Sequence, residues 1–227
     1  MKLSENTVTI LKNFATINGG IVVKPGNKLR TISSSKAILA EAVVEETFPH
    51  EFGIYDLNKS LGLLSMNKND NEVEILQDFL VFKSLGGKGT IRQRFTATNL
   101  ILTPPNKEIN IPAYEVKFTL PAETLNWIFS VASILKCPNV VVTNEDGKIA
   151  ISAMDVKGEI VDDAKIVLND ETDIQFQATL KIENLKIVPD EYVVEIASMG
   201  VSRFYNESKK LTYWIAIEAA SSNFGEG

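Results

Sequence analysis

The residues able to do chemistry in this chain are few, and each stands apart from the partners it would need. His50 is the only histidine, so a Ser-His-Asp triad or a histidine-containing metal site would have to be built on it. It lies in the loop-like stretch "EETFPHEFG", with no second ligand at a matching spacing. Cys137 is the only cysteine. A lone thiol at a helix end before Pro138, without a positioned histidine, reads as structural, and it can form no internal disulfide or paired-cysteine zinc site. "LGGKGT" looks like a phosphate loop, but the pattern G-x-x-x-x-G-K-[ST] would need glycine at Phe82 and Ser or Thr where Gly89 stands. A strand follows it, so no helix N-terminus meets a phosphate, and a glycine hairpin is the better reading. Glu45-Glu46, Asp162-Asp163 and the run "NDETD" lack EF-hand spacing and read as solvated loops; the separation of a glycosidase carboxylate pair is not legible in sequence. Nothing here resembles an enzyme, and no cofactor or metal is expected.

Lysines are the other candidates. Four helical segments carry Lys12, Lys59, Lys136, and the flanking pair Lys181 and Lys186, with few carboxylates beside them apart from Glu5 and Glu183. Thr9, Thr16, Asn126, Ser130 and Ser133 supply neutral polar surface between them. Helices on one side of the sheets would make that side weakly positive, suited to phosphates. The plainer alternative is that lysine is ordinary on any solvated helix face.

The elements that must carry these lysines come in two similar sets. "SENTVTILKNFATIN" reads as a helix with Ser4 as N-cap and Asn18-Gly19-Gly20 as its stop. Val8, Leu11, Phe14 and Ala15 share its core face, edged by Ile10 and Ile17. "GIVV", a turn at "KPGN" and "KLRTIS" predict a hairpin, followed by the strand "AILAEAVVEE". "GIYDLNKSLGLLS" predicts a second helix with Ile54, Leu57, Leu61 and Leu64 inward, and "EVEILQDFLVFKS" and "TIRQRFTAT" are strands. Arg92 and Arg94 share one face of the latter, as a basic patch, a subunit contact or an edge-strand guard. The prolines of "LTPPNKEINIPAY" forbid regular pairing and mark a connector.

The second half repeats the plan. "YEVKFTL" is a strand. "PAETLNWIFSVASILK" is a helix with Leu125, Ile128, Phe129, Ala132 and Leu135 as its core face. "NVVVT", "NEDG" and "KIAIS" form a hairpin, "AKIVLN" and "DIQFQATL" are strands, "LKIENLKIV" is a short helix, and "EYVVEIAS" and "LTYWIAIEAA" are the last strands. The expectation is an α+β chain with domains at 1–104 and 114–227 joined by a connector at 105–113. Two unrelated α+β domains that share a few hairpins remain the alternative.

Bulk properties agree. A chain of 227 residues with 44% apolar residues suits two domains. Its formal charge of −6, from 23 basic and 29 acidic residues, argues against coating nucleic acid by net attraction and leaves room for a local basic surface. The N-terminus has no apolar core of a signal peptide, and no apolar run approaches the roughly 20 residues of a membrane helix. A soluble intracellular protein without membrane contact is expected.

"MKLSENTVTILKNFATINGGI" closely resembles the opening of the T-even phage sliding clamps, processivity factors of the replicative polymerase. "IYDLNKSLGLLS" is similar to that family's second helix, "PNKEINIPA" to its connector, and "NEDGKIAIS" and "IENLKIVPDEY" to its second-domain hairpin and helix. The likeness runs in order over nearly the whole chain and is patchier between about residues 70 and 105. It implies the DNA-clamp (processivity) fold: two similar domains, each with antiparallel sheets and two helices, assembling into a ring. Three copies would close head to tail, helices inside, around double-stranded DNA held without sequence readout.

The implied partners are the replicative DNA polymerase, an ATP-dependent clamp loader and phage transcription factors, in the cytoplasm of the infected bacterial host. Lys12 and Lys186 match the family's DNA-facing positions; Lys59, Lys136 and Lys181 rest on this sequence's own geometry. Ile109, Ile111 and Pro112 would rim the pocket for partner tail peptides. Glu5, Ser130 and Ser133 stand where the family carries basic residues. A phage oligomeric structural or binding protein that does not encircle DNA is the alternative from another class.

Overall fold

A computed structural model describes residues 1–66, 72–158 and 162–225. The chain divides into two compact units, Met1–Asn106 with Ser208–Leu211, and Lys107–Glu207 with Thr212–Gly227. The break at 106/107 falls inside the proline-rich stretch.

Unit 1 begins with helix α1 (Glu5–Ile17). Ser4 caps it, its hydroxyl accepting from the Thr7 amide at 3.1 Å, which satisfies one of the donors a helix N-terminus leaves open. The buried stripe is Thr7, Ile10, Leu11, Phe14, Ala15 and Ile17. Ile10 is thus at its centre, and Val8, expected inside, is only half-buried. Strands β1 (Ile21–Val23), β2 (Gly26–Ile32), β3 (Ile38–Phe48) and β4 (Phe52–Ile54) follow, then helix α2 (Leu57–Ser65), then β5 (Val73–Ile75), β6 (Phe79–Ser84) and β7 (Gly89–Arg94). β1 pairs antiparallel with β4, β2 with β3, and β5–β6–β7 form a meander. Helix α1 packs on α2 and β3.

The expected β1–β2 hairpin is not formed; β1 gives its ladder to β4 through Ile21↔Ile54 and Val23↔Phe52. A tight two-residue hairpin turn of type I′ needs positive φ at both central residues, and proline at position 25 is locked near −65°. The corresponding turn in unit 2 has Asp146 at φ 51 and Gly147 at φ 84, and there β9 and β10 pair over seven successive positions.

Unit 2 comprises β8 (Val116–Leu120), α3 (Ala122–Leu135), β9 (Asn139–Glu145), β10 (Lys148–Met154), β11 (Ala164–Glu171), β12 (Phe176–Lys181), a 3-10 turn at Ile182–Asn184, β13 (Tyr192–Ala197), β14 (Val201–Asn206), β15 (Leu211–Ala216, whose first residue groups with unit 1), a second 3-10 turn at Ala219–Ser221 and β16 (Asn223–Phe224). One sheet runs β11-β10-β9-β12-β16, and another carries the order β15-β14-β13-β8. Strands β14 and β16 are not legible in the sequence.

Helix α3 lies on β9, β10 and β11 and buries Thr124, Leu125, Ile128 and Ala132, whereas Phe129 and Leu135 are half-buried. The fourth helix expected over "LKIENLKIV" is reduced to the 3-10 turn. Leu180 and Lys181 belong to β12, paired with Val140 and Asn139, and Leu185, Ile187 and Val188 are buried outside any helix or strand. The residue before a proline avoids the helical region, so Pro189 ends any helix at Val188. Within unit 1 the succession α1-β1-β2-β3-β4-α2 thus matches α3-β9-β10-β11-β12-turn in unit 2.

Candidate nucleic-acid interface

On α1 the exposed residues are Glu5, Thr9, Lys12 and Thr16, at spacings of four, three and four, which put them on one face. The face is fixed by what holds the other side. Besides the Ser4 cap, the Glu46 carboxylate of β3 accepts from the Ser4 amide and, at 2.5 Å, from the Thr7 hydroxyl. Burial raises the pKa of Glu46, but the hydrogen bonds from Thr7 and Ser4 outweigh it and hold the carboxyl below its ordinary value. A charged carboxylate at a helix N-terminus also complements the macrodipole, as does Glu5 in the first turn. Glu5 therefore has a structural role where a cation was expected. Lys12 is exposed and takes part in no ion pair among the described residues.

Lys59 is exposed in the first turn of α2. Its amide donates to the Asp56 side chain at 2.9 Å, the N-cap bond that starts this helix. Buried Ser60 donates to Gln93 of β7 at 2.8 Å. Lys136 is exposed at the end of α3, in the left-handed conformation at φ 57. Between the caps α3 presents Glu123, Asn126, Trp127, Ser130, Ser133 and Ile134 to solvent. That face has no cation, and Ile134 is 76% and Trp127 39% exposed; the sequence reading leaves both off the core face without assigning them to the surface.

Lys186 is exposed on the irregular segment after the 3-10 turn. Lys181 is half-buried at the end of β12, its Nζ 3.1 Å from a carboxylate oxygen of Glu218. The structure therefore brings Lys12 and Lys59 onto the packed helix pair of unit 1, and holds Lys181 in an ion pair.

Ile109 and Ile111 are half-buried and Pro112 is exposed; none of the three lines a described cavity. Where the connector begins, Asn18 donates to the Leu102 carbonyl at 3.0 Å, Lys24 to Asn106 at 2.6 Å and Arg30 to the Pro105 carbonyl at 2.8 Å. A cavity of about 200 Å³ opens there in unit 1, with Val22, Pro25 and Pro104 as apolar lining and Lys24, Lys28 and Arg30 at its edge.

His50 packs edge-on against Phe52 and Phe95, with ring centroids 5.9 and 6.2 Å away. Cys137 is buried and reduced, and burial and the nearby Asp162 carboxylate raise its thiol pKa. Among the described residues no cluster of His, Cys, Asp or Glu could hold a metal, and no helix is long and apolar enough to cross a membrane. "LGGKGT" is the β6–β7 turn, with Leu85, Gly86 and Gly87 at positive φ.

Comparison with known proteins gives this arrangement a context. The model of the family described as DNA polymerase processivity factor matches residues 2–83, and that described as gp45 sliding clamp, C terminal, matches residues 117–219. The sliding clamp of Vibrio phage KVP40 is 33% identical over 225 residues, covering 96% of this chain and all of that protein. Those of Escherichia phage RB69 and Enterobacteria phage T4 are 31% and 30% identical over 230 residues, each covering 98% of this chain and 99% of the relative. Among solved structures, proliferating cellular nuclear antigen from Entamoeba histolytica shares the fold with a TM-score of 0.70 at 12% identity, over 96% of this chain and 97% of that one. A chain of the PCNA2-PCNA3 complex from Sulfolobus tokodaii matches at a TM-score of 0.67 and 14% identity, over 96% and 100%.

Proposed function

The chain belongs to the family of T4-type phage sliding clamps, DNA polymerase processivity factors, and on that premise we propose that three copies close head to tail around duplex DNA. The observation that carries this reading is a pair of oppositely charged sheet edges, each left unpaired among the described residues. β7 ends the unit 1 meander with Thr90, Arg92 and Arg94 exposed, beside Lys88. β11 ends a sheet of unit 2 with Asp170 and Glu171 at its end and Asp162, Asp163 and Asp173 flanking it, while its one lysine, Lys165, is paired with Glu145. An unpaired strand edge is a template for another strand. Two different edges on one chain make a heterologous contact, which forms a closed ring only when its rotation divides the circle. A duplicated domain lets three chains approximate six equivalent positions.

Enclosure then supplies processivity. A closed ring leaves a long duplex only by opening, so adhesion to phosphates can stay weak enough for sliding. Lys12, Lys59, Lys136 and Lys186 are the proposed DNA-facing cations, making sequence-independent contacts. A polymerase tethered to the ring rebinds its template at high effective concentration. Partner tails dock beside the connector, at Ile109, Ile111 and Pro112. An ATP-dependent loader opens the ring, phage transcription factors use the same tether, and the setting is the cytoplasm of the infected host.

Sedimentation velocity at micromolar concentration tests the closure. The wild-type chain should run as a trimer, and Arg92→Glu with Arg94→Glu should shift it to smaller species. Loaded wild-type protein should be retained on circular DNA and lost on linearisation. A single subunit at every concentration, or equal retention on both DNA forms, overturns the reading.

A further inference from the structure

We propose that Glu218 acts as a built-in substitute for phosphate, holding Lys181 and lowering the number of DNA phosphates each subunit neutralises. The inference rests on the clamp reading above, and concerns how strongly the ring adheres to what it encloses.

Both partners of the pair are fixed through the backbone. Lys181 is the last residue of β12, paired with Asn139 of β9. The Glu218 amide donates to the carbonyl of Thr179, also on β12, at 2.8 Å. The carboxylate is therefore delivered beside Lys181 by a main-chain hydrogen bond to the same strand, and the Nζ–Oε2 distance is 3.1 Å. The side chains are 43% and 32% exposed, so the pair is open to solvent and to competition from another anion.

It lines a groove of about 550 Å³ in unit 2, whose charged residues are Asp155, Lys157, Lys181, Glu183 and Glu218. Three carboxylates against two ammonium groups leave this groove net negative. The exposed face of α3 adds Glu123 and no lysine before its cap. Lys12, by contrast, has no carboxylate partner among the described residues. Unit 2 is thus electrostatically muted at Lys181, the cation that this sequence's own geometry would turn toward DNA. Neutralising Glu218 should release Lys181 to phosphates.

Each phosphate neutralised on B-DNA adds roughly 0.9 to the slope of log K against log salt concentration. The experiment measures fluorescence anisotropy of a labelled linear duplex, onto which a ring can thread from an end, across a salt series. Sedimentation of every variant establishes its oligomeric state. Glu218→Gln keeps the shape and removes the charge; it should steepen the slope by about one for each lysine that engages and tighten binding several-fold at low salt. Lys181→Gln in the otherwise unchanged chain should leave the slope as it was, and the double variant should return it to the wild-type value.

An unchanged slope for Glu218→Gln overturns the inference. So does a fall for Lys181→Gln equal to that for Lys12→Gln, which would show Lys181 already engaged; this second measurement does not depend on how well Glu218→Gln folds. The clamp reading is tested separately by Lys12→Gln. If that variant lowers the slope while Glu218→Gln does nothing, the inference alone falls; if neither moves it, the DNA-facing assignment falls too.

Discussion

The corner after β4 and the corner after β12 occupy the same place in the two halves of the chain, yet they are held by different means. In unit 1 the corner is helix α2, nine residues from Leu57 to Ser65. Asp56 starts it, Leu57 and Leu64 are buried, and Lys59 rides on its first turn. In unit 2 three residues of 3-10 turn have no side-chain cap, and the chain continues past Lys186 outside any helix or strand. There two buried tyrosines take over. Tyr192 Oη donates to the Val188 carbonyl at 2.6 Å, and the Val188 amide donates to Tyr213 Oη at 3.2 Å. Burial raises the pKa of both phenols far above the ordinary value, so they stay neutral. A surface lysine can thus be presented by a local helix or by long-range hydrogen bonds from a core. The first is simple to write in sequence; the second depends on residues brought together only by folding.

The sharpest way to break this comparison is at Tyr192. Removing its hydroxyl leaves the buried Val188 carbonyl without its donor, and an orphaned buried acceptor costs about 1–3 kcal/mol. Tyr192→Phe should lower unfolding free energy by that amount in denaturant titrations, and hydrogen exchange should rise first around residues 185–188. A change within experimental error would mean that apolar packing of Leu185, Ile187 and Val188 holds the segment without the hydroxyl. On the α2 side, Asp56→Ala removes the acceptor for the Lys59 amide and should cost about 1 kcal/mol, the usual worth of an N-cap. It should leave exchange at Val188 untouched. The two effects should add in a double variant, since the two residues share no hydrogen-bond partner.

The contrast also explains what can be seen beforehand. Local signals are legible: Ser4 before α1 and the turn "NEDG" between β9 and β10 each dictate their neighbours' backbone. The segment "LKIENLKIV" misleads because Ile182, Leu185 and Val188 recur every third residue, as they would on a helix face, while the decisive facts are nonlocal. Leu180 pairs with Val140, and Val188 is claimed by two tyrosines. The same reason hides the pairing of β1 with β4 and the ion pair of Lys181 with Glu218. Trp127 and Ile134 lie off the expected core face of α3 and are exposed, because apolar type does not imply burial on a helix whose core stripe is already filled. The charge of the lysine-bearing faces is therefore legible as composition, but not as a balance of neighbours.

The smallest expected effect sharpens the comparison from the helical side. Gly62 lies inside α2, and a Cβ built there would meet nothing within 4 Å. Glycine in a helix interior costs up to about 1 kcal/mol relative to alanine, mainly through the backbone freedom it surrenders on folding. A nine-residue helix is too short to stand on propensity alone and leans on packing against α1. Gly62→Ala should therefore stabilise unit 1 by about 0.5–1 kcal/mol and slow amide exchange in α2, with no change at the tyrosine-held corner of unit 2. If stability instead falls, the open space beside Gly62 is needed by something that approaches α2 in the assembled protein. Sedimentation of the variant would then show whether that neighbour is another copy of the chain.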